Sequence, residues 1–480
     1  MTTPFATDLL YIGGQWCAPG GGFIPVEDPS TGESLGQIAA ASADDVDRAV
    51  AAGRAALEGD WGQMTAVERG RLLMRMSHEV LARAEALAEL EARDVGKPLK
   101  QARNDVVALA RYLEFYAGAA DKLHGETIPF QQGYTVYTLR EPHGVTGHII
   151  PWNYPMQIIG RSVVAALCVG NAVVLKPAEH ASLTSLAFAR IAGDCGLPAG
   201  ALNVVTGTGA EAGAALASHP GINHLSFTGS TGVGVAIQQA AAVNAVPVTL
   251  ELGGKSPQLV FDDADLEKAL PFLVNAGIQN AGQTCSAGSR VLVQRGLYDE
   301  VVRRMAERFR SLTVGPALDD ADVGPLVSNR QKAMVEAFIE QGHADGLVAA
   351  QAAMGDLPPG GAYVPPTLFA GVDPDHPLAQ REIFGPCVCI IPFDTEEDAV
   401  RIANGTDYGL VAGVWTADGA RQMRLARRLR AGQIFLNNYG AAGGVELPFG
   451  GVGKSGHGRE KGFEALYAFT TLKTVAAHHG

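Results

Sequence analysis

Cysteine is scarce in this chain, and its spacing suggests neither a disulfide framework nor a metal site. Six cysteines occur among 480 residues, and no two of them show C-x-x-C spacing. Sparse cysteines of this kind are typical of free thiols in a reducing compartment, so a cytoplasmic location is predicted. The histidines show neither an H-E-x-x-H pattern nor Cys/His ligand spacing. No bound metal is therefore expected.

The chain also lacks long apolar runs, and it has fewer positive than negative side chains. The longest apolar stretch, Val163–Leu175, is interrupted by Gly170 and Asn171 and is too short to span a bilayer. The segment Met1–Leu10 contains Asp8 and no Lys or Arg, which argues against a secretory signal. Lys and Arg number 37 against 50 Asp and Glu, a net charge of −13. Neither a membrane nor a nucleic acid is expected as a partner.

The periodicity of the chain predicts an α/β protein of two or three domains. Apolar residues at helical spacing predict one long helix over residues 66–94. Between residues 145 and 250, short apolar strands alternate with helical segments, a pattern typical of a doubly wound parallel sheet. A second α/β series begins near Pro257, and residues 133–142 predict one or two separate strands. Loops at the carboxyl ends of parallel strands are candidate ligand sites.

Two such loops could stabilise negative charge. In Pro151–Pro155 the prolines place Asn153 at the mouth of a helix, where its amide could donate to an oxyanion or serve as an ordinary helix cap. Phe227–Gly234 follows a strand and opens a helix, so a pyrophosphate could approach its backbone N–H groups. Its G-x-x-G-x-G spacing departs from G-x-G-x-x-G, and a lone glycine loop is often only a tight turn.

Two further loops carry candidate reactive groups. Glu251 directly follows an apolar strand, so its carboxyl group could have a raised pKa suited to a general base, or could form a strand-end ion pair. Cys285 lies between small polar residues, where a positive potential would favour its thiolate as a nucleophile. A lone cysteine is more often structural, and the absence of a nearby histidine gives no support to a Cys–His hydrolase.

Taken together, these loops resemble the motifs of the aldehyde dehydrogenase superfamily. The resemblance extends from Ile12–Trp16 to Leu472–Val475 and therefore covers nearly the whole chain. Seven motifs occur in the family's order: Pro151–Pro155, Lys176–Glu179, Phe227–Gly234, Leu250–Lys255, Gly282–Cys285, Glu382–Pro386 and Pro448–Gly451.

The resemblance implies a subunit of three parts. Residues 1–122 and 143–253 would form a Rossmann-like, doubly wound cofactor domain, and residues 254–453 an α/β catalytic domain. Residues 123–142 and 454–480 would form a small β element for oligomerisation. The family also implies a homodimer or homotetramer that oxidises an aldehyde to the acid with NAD, with NADP as an alternative cofactor.

The resemblance also assigns roles to individual residues. Cys285 would attack the aldehyde, Asn153 would hold the resulting oxyanion, and Glu251 would activate the water that hydrolyses the thioester. The positions expected to bind the cofactor are Ile149, Pro151, Trp152, Lys176, Glu179, Gly209, Thr228, Gly229, Ser230, Val233, Leu252, Glu382 and Phe384. Those expected to line the substrate site are Tyr154, Arg161, Thr284, Ser286 and Phe449.

The sequence leaves the identity of the aldehyde substrate open. Arg161 resembles the arginine with which succinate-semialdehyde dehydrogenases grip a distal carboxylate, but their second arginine is replaced here by Gln279. Gly443 or Gly444 replaces a small hydroxyl residue of their anchor loop, which leaves room for a larger, even aromatic, aldehyde. Arg161 could instead pair with a carboxylate of the protein or reach solvent.

Two alternatives to hydrolytic oxidation are open to a protein of this fold. A CoA-acylating enzyme would resolve the thioester with a thiol, a route that needs no water-activating base such as Glu251. A crystallin-like structural protein of the same fold would need no intact set of Asn153, Glu251 and Cys285. The presence of all three residues favours the hydrolytic enzyme.

Overall fold

The computed structural model describes residues 8–480. Its strands are β1 (Leu10–Ile12), β2 (Gln15–Cys17), β3 (Phe23–Glu27), β4 (Ser34–Ala39), β5 (Thr127–Ile128), β6 (Tyr134–Pro142), β7 (Val145–Ile150), β8 (Ala172–Pro177), β9 (Leu202–Val204), β10 (His224–Thr228), β11 (Val248–Glu251), β12 (Pro257–Val260), β13 (Arg290–Gln294), β14 (Val348–Gln351), β15 (Thr367–Ala370), β16 (Cys387–Phe393), β17 (Val411–Trp415), β18 (Gln433–Leu436), β19 (Gly456–His457) and β20 (Thr470–His478).

The α-helices alternate with these strands over most of the chain. They are α1 (Ala43–Glu58), α2 (Asp60–Gln63), α3 (Ala66–Ala82), α4 (Ala84–Val95), α5 (Leu99–Ala119), α6 (Pro155–Ile158), α7 (Val164–Cys168), α8 (Leu183–Asp194), α9 (Ala214–Ala217), α10 (Thr231–Ala242), α11 (Leu266–Ile278), α12 (Tyr298–Arg310), α13 (Asn329–Ala344), α14 (Pro377–Gln380), α15 (Glu396–Ala403), α16 (Gly419–Arg428) and α17 (Glu464–Ala468).

The first large sheet has the strand order β19-β11-β10-β7-β8-β9-β1-β2. Strands β11, β10, β7, β8 and β9 run parallel, and the strands at both edges are antiparallel. Every residue of β7 and β8 is buried, as expected for a sheet covered on both faces by helices. This arrangement confirms the predicted doubly wound α/β architecture. The loops after β7 and β10 carry Asn153 and Ser230, and they meet at one edge of the sheet with Glu251, the last residue of β11.

The second large sheet has the strand order β14-β15-β16-β13-β12-β17-β18 and is parallel except for β14. The segments that lead into β13 and β16 contain Cys285 and Glu382. These segments touch the first sheet's loops, since the Gly254 amide donates to Glu382 Oε1 over 3.1 Å. A cleft therefore lies where the carboxyl edge of one sheet faces the amino edge of the other.

A small antiparallel sheet has the order β20-β6-β5. Its longest pairing joins Thr470–His478 to Tyr134–Pro142 without a register shift. Leu139 and Leu472 are exposed on it, so its outer face offers apolar surface. Strand β19 lies in the same C-terminal region of the sequence, but it pairs with β11 in the first large sheet.

Two helical segments differ from the sequence-based expectation. The prediction of a single helix over residues 66–94 is wrong, because Arg83, at φ −107° and ψ 20°, separates α3 from α4. The helix after β7 contains a π-helical turn over Ile159–Val163, where the Ser162 hydroxyl donates to the Ile158 carbonyl at 2.9 Å. This turn carries Arg161. Turns of this kind are frequent at functional sites.

Two classes of feature are missing from the described part of the chain. Across residues 8–480, the structure contains no helix that is both long and apolar enough to cross a bilayer. The same residues contain no group of three or more His, Cys, Asp or Glu side chains arranged to hold a metal ion.

Candidate active site

A cavity of about 1050 Å³ opens between the two large sheets. Its wall includes the three residues predicted to be catalytic, Cys285, Glu251 and Asn153. The five residues predicted to line the substrate site also reach it: Tyr154, Arg161, Thr284, Ser286 and Phe449. Residues more than 100 positions apart in sequence therefore meet in one space.

Cys285 is carried by a turn with an unusual backbone. Asn280 and Ala281 have positive φ angles of 51° and 54°, and Gly282 follows at 73°. Left-handed conformations cost non-glycine residues about 1–3 kcal/mol each and persist only where the surroundings enforce them. A Cβ atom on Gly282 would lie 2.0 Å from the Gly385 carbonyl oxygen. This position therefore requires glycine.

Buried side-chain amides hold this turn in place. Asn153 Nδ2 donates to the Gln283 carbonyl at 2.9 Å, and Asn280 Nδ2 donates to the Asn153 carbonyl at 3.0 Å. The Gln283 side chain in turn accepts a bond of 2.9 Å from the Val327 amide. An amide nitrogen has two N–H groups, so Asn153 keeps one for a further acceptor.

The environment of the Cys285 thiol is less favourable to the thiolate than the sequence predicted. Burial raises the pKa of the thiol to about 11, and the nearby Arg161 guanidinium opposes this shift. Glu382 and Glu251 raise it further. The positive potential predicted from the sequence is present in Arg161, but desolvation outweighs it.

Glu251 is the last residue of β11 and is only 2% exposed. Neither carboxyl oxygen has a hydrogen-bond partner among the described residues. Burial raises the pKa of this carboxyl group well above its usual value, and Glu460 adds to the rise, while Arg161 and Arg459 oppose it. The predicted raised pKa is present, and Glu251 faces a cavity that can admit water.

Arg161 forms a buried ion pair at the wall of the cavity. Its Nε lies 2.5 Å from Glu460 Oε2, and the Ser226 hydroxyl donates to the other oxygen of Glu460 at 2.9 Å. The guanidinium carbon is 4.9 Å from the centre of the Phe449 ring. Of the interpretations open from the sequence, pairing with a protein carboxylate is the one observed, although Arg161 also lines the cavity.

The residues predicted to bind a cofactor form two groups. Seven line the cavity: Pro151, Trp152, Thr228, Gly229, Ser230, Glu382 and Phe384. Six lie outside its wall: Ile149, Lys176, Glu179, Gly209, Val233 and Leu252.

The geometry of these residues suits a dinucleotide. Lys176 Nζ lies 3.3 Å from Glu179 Oε2 at the end of β8. Ser230 caps α10 without a side-chain bond to its first turn, and a Cβ on Gly232 would meet nothing within 4 Å. Free helix N–H groups with open space before them are suited to a phosphate.

Comparison with known proteins identifies the family. The aldehyde dehydrogenase family profile matches residues 16–475. The chain belongs to the aldehyde dehydrogenase family. It is 41% identical over 475 residues to the Bacillus subtilis (strain 168) protein DhaS, provisionally named an aldehyde dehydrogenase, and the match covers 98% of this chain and 95% of that one.

Solved structures agree with this assignment. A Burkholderia cenocepacia crystal structure, provisionally named an aldehyde dehydrogenase, superposes with a TM-score of 0.98 at 62% identity, covering 98% of this chain and 100% of that one. An NAD+ complex of a Bacillus cereus aldehyde dehydrogenase superposes with a TM-score of 0.95 at 39% identity, covering 99% and 97%. The predicted family, its fold and its enzymatic nature are confirmed.

The candidate active site of this aldehyde dehydrogenase also has charged residues in or next to its wall that the sequence did not predict. Arg111 and Lys461 line the cavity, and Glu446 lies beside them. Glu460 is fully buried next to Glu251 and Arg161. These residues come from α5 and from the glycine-rich C-terminal region, far from the recognised motifs. Gly458 and Gly462, which flank residues 460 and 461, nevertheless indicate a tightly turned chain in this region.

Replacing Gly282 by alanine tests the turn that carries Cys285. The new Cβ would collide with the Gly385 carbonyl, so the turn must shift and displace the thiol. We expect kcat for aldehyde oxidation to fall by about 10²-fold, the cost of a misplacement near 1 Å. Gly296→Ala is the matched control, because a Cβ there meets nothing within 4 Å. Equal kcat values for Gly282→Ala and the control would contradict the requirement for glycine in the turn that carries Cys285.

Proposed function

We propose that this protein oxidises an aldehyde to the carboxylic acid with NAD+, through covalent intermediates on Cys285. The observation that supports this most strongly is that one cavity is lined by a thiol, an amide donor and an unpartnered buried carboxyl group. A nucleophile, an oxyanion donor and a base are the three groups that such a reaction needs.

Cys285 and Asn153 act in the first half of the reaction. The Cys285 sulfur attacks the carbonyl carbon, and the C=O electron pair becomes an alkoxide in a tetrahedral thiohemiacetal. The free N–H of Asn153 Nδ2 and the Cys285 backbone amide donate to this alkoxide. Arg161 lowers the pKa of the thiol and so favours the attacking thiolate. Collapse of the alkoxide expels hydride and leaves a thioester. Bound NAD+ supplies the hydride acceptor.

Glu251 acts in the second half of the reaction. Its ionised carboxylate takes a proton from water as the water oxygen attacks the thioester, and the acid and the free thiol are released. A CoA-acylating enzyme would not need this base. The absence of any protein partner on either oxygen of Glu251 in the described chain leaves both free for water, which supports the hydrolytic route.

The cofactor site is proposed from both groups of residues described above. Trp152 and Phe384, whose ring centroids are 5.4 Å apart, would flank the nicotinamide end, and Glu382 would bond its ribose. Ser230 and the first turn of α10 would take the pyrophosphate. Lys176 and Glu179 would hold the adenine ribose, and the Glu179 carboxylate would disfavour the 2′-phosphate of NADP+. Ile149, Gly209, Thr228, Gly229, Val233 and Leu252 would shape the walls.

The substrate site is proposed at the other end of the cavity. Tyr154 donates to or accepts from Thr284 at 2.9 Å, which fixes the ring beside the thiol. Phe449, Ser286 and Arg161 would complete the wall. Because Glu460 already compensates the charge of Arg161, Arg161 would offer substrate a hydrogen bond rather than a net charge. An aldehyde with a second polar group, or an aromatic one, would suit these contacts.

The proposed assembly is a homodimer or homotetramer. The exposed apolar residues on the sheet of β20, β6 and β5, among them Tyr137, Leu139 and Leu472, support a subunit contact there. The proposed domain boundaries are those stated from the sequence. All six cysteines are free, which supports a reducing compartment such as the cytoplasm.

An aldehyde panel tests the proposed reaction. We expect NADH to form from at least one aldehyde with NAD+ and without CoA, because Glu251-activated water resolves the thioester. Cys285→Ala should abolish this turnover while NAD+ binding, measured by calorimetry, is retained. Cys195→Ala, at a half-buried free cysteine, is the matched control. Turnover by Cys285→Ala, or a strict need for CoA, would refute the mechanism.

The pH dependence of deacylation tests Glu251. Its pKa is raised, so the carboxylate is lost on acidification at a higher pH than for an ordinary glutamate, and the steady-state rate should rise with pH through that raised value. Glu251→Gln should remove this limb, slow turnover by about 10²–10⁴-fold, and leave a pre-steady-state burst of NADH. Glu340→Gln, at an exposed residue of α13, should behave like the unaltered enzyme. An unchanged rate in Glu251→Gln would remove the residue from this role.

A further inference from the structure

Three cationic side chains line the cavity, and they differ in their partners. Arg161 is paired with Glu460, and Arg111 with Glu446 at 2.5 Å and with Glu114. Lys461 has no carboxylate within 4 Å anywhere in residues 8–480. Its ammonium group is therefore the one of the three that forms no ion pair among the described residues, although the charge of Glu446 is near enough to raise its pKa.

The chain holds Lys461 in a fixed place. Its backbone adopts a left-handed conformation, at φ 62°, which is rare for a lysine and indicates that the surroundings determine its position. Its Nζ donates to the Gly443 carbonyl at 2.6 Å and lies 5.8 Å from the centre of the Phe449 ring. An ammonium group has three N–H donors, so two remain for a ligand.

Burial and the charges around Lys461 set the pKa of its ammonium group. Burial and the neighbouring Arg161 lower its pKa to about 8, whereas Glu446 and Cys285 oppose the shift. Arg111 is engaged in ion pairs with Glu446 and Glu114, and Glu460 pairs with Arg161 behind the wall. The other carboxyl groups that line the cavity are Asp105, which pairs with the buried Lys97, and Glu251 and Glu382. Lys461 is therefore charged at neutral pH and loses its charge in mildly alkaline solution.

We propose that Lys461 determines substrate specificity by binding a remote carboxylate of the aldehyde, so that ω-oxo acids are the preferred substrate class. This inference rests on the proposed function, since it places the aldehyde carbon at Cys285 and the carboxylate at Lys461. Both residues line the same cavity, and their charges influence each other.

The charge balance of the wall favours an anionic group over a neutral one. An alkanal bound here would bury surface beside an ammonium group and leave that group without a counter-charge, which is costly. A carboxylate would replace the lost hydration with charge-assisted hydrogen bonds. Lysine acts as a compact point charge on a flexible stem, so it can reach carboxylates at more than one chain length.

The direct test compares ω-oxo acids with alkanals of equal length. Values of kcat/KM are measured for 4-oxobutanoate, 5-oxopentanoate and 6-oxohexanoate against butanal, pentanal and hexanal. We expect the acid to exceed its matched alkanal for at least one length, and Lys461→Met to lower that ratio by about ten-fold or more. Lys268→Met, at a side chain that is 80% exposed, is the matched control. A ratio that Lys461→Met leaves unchanged would overturn the proposal.

The pH profile of the unaltered enzyme gives a second test that needs no variant. KM for the preferred oxo acid should rise as the pH passes through about 8, because Lys461 loses its charge there, while KM for the matched alkanal should not follow. In Lys461→Arg, whose guanidinium stays charged, the rise should disappear. Parallel profiles for acid and alkanal would overturn the proposal. Oxidation of alkanals without preference for acids refutes only this inference, and so does oxidation of aromatic aldehydes alone. If no aldehyde of either series and no aromatic aldehyde is oxidised, the proposed function itself fails.

Discussion

The active site depends on one local constraint, the left-handed turn that presents Cys285. Three consecutive positive φ angles, at residues 280–282, place the thiol where the two large sheets face each other. Such a turn is unfavourable alone, so it needs the bonds between Asn153, Asn280 and Gln283. Those bonds link the loop after β7 to the segment before β13. Asn153 and Cys285, the proposed oxyanion donor and nucleophile, are therefore positioned by the same interaction.

Burial sets the chemistry of the groups around this turn. Desolvation raises the pKa values of both Cys285 and Glu251, so neither group ionises as readily as it would in water. Arg161 opposes both shifts, and Glu460 in turn compensates the charge of Arg161. One buried ion pair thus influences the proposed nucleophile and the proposed base together.

Local patterns in the sequence predicted what depends on neighbouring residues. Alternating strands and helices indicated the doubly wound sheet, and strand-end loops indicated Asn153, Glu251 and Cys285, which line one cavity. Contacts between distant segments were not predictable in this way: Lys461 reaches the cavity from the C-terminal region. The break at Arg83 was missed because apolar spacing continues across it. The π-helical turn at Arg161 packs against α5, a contact between separate segments that a local pattern does not show.

Aldehyde oxidation by the proposed route passes through a thioester on Cys285. The most direct measurement is rapid acid quenching of the enzyme during turnover with NAD+ and an oxidised aldehyde, followed by peptide mass spectrometry. Acid protonates Glu251 and slows deacylation, so the acyl group should be preserved. We expect an acyl mass increment on the peptide that contains Cys285, and we expect it only when NAD+ is present. NADH formation without an adduct, or an adduct confined to another cysteine, would contradict it.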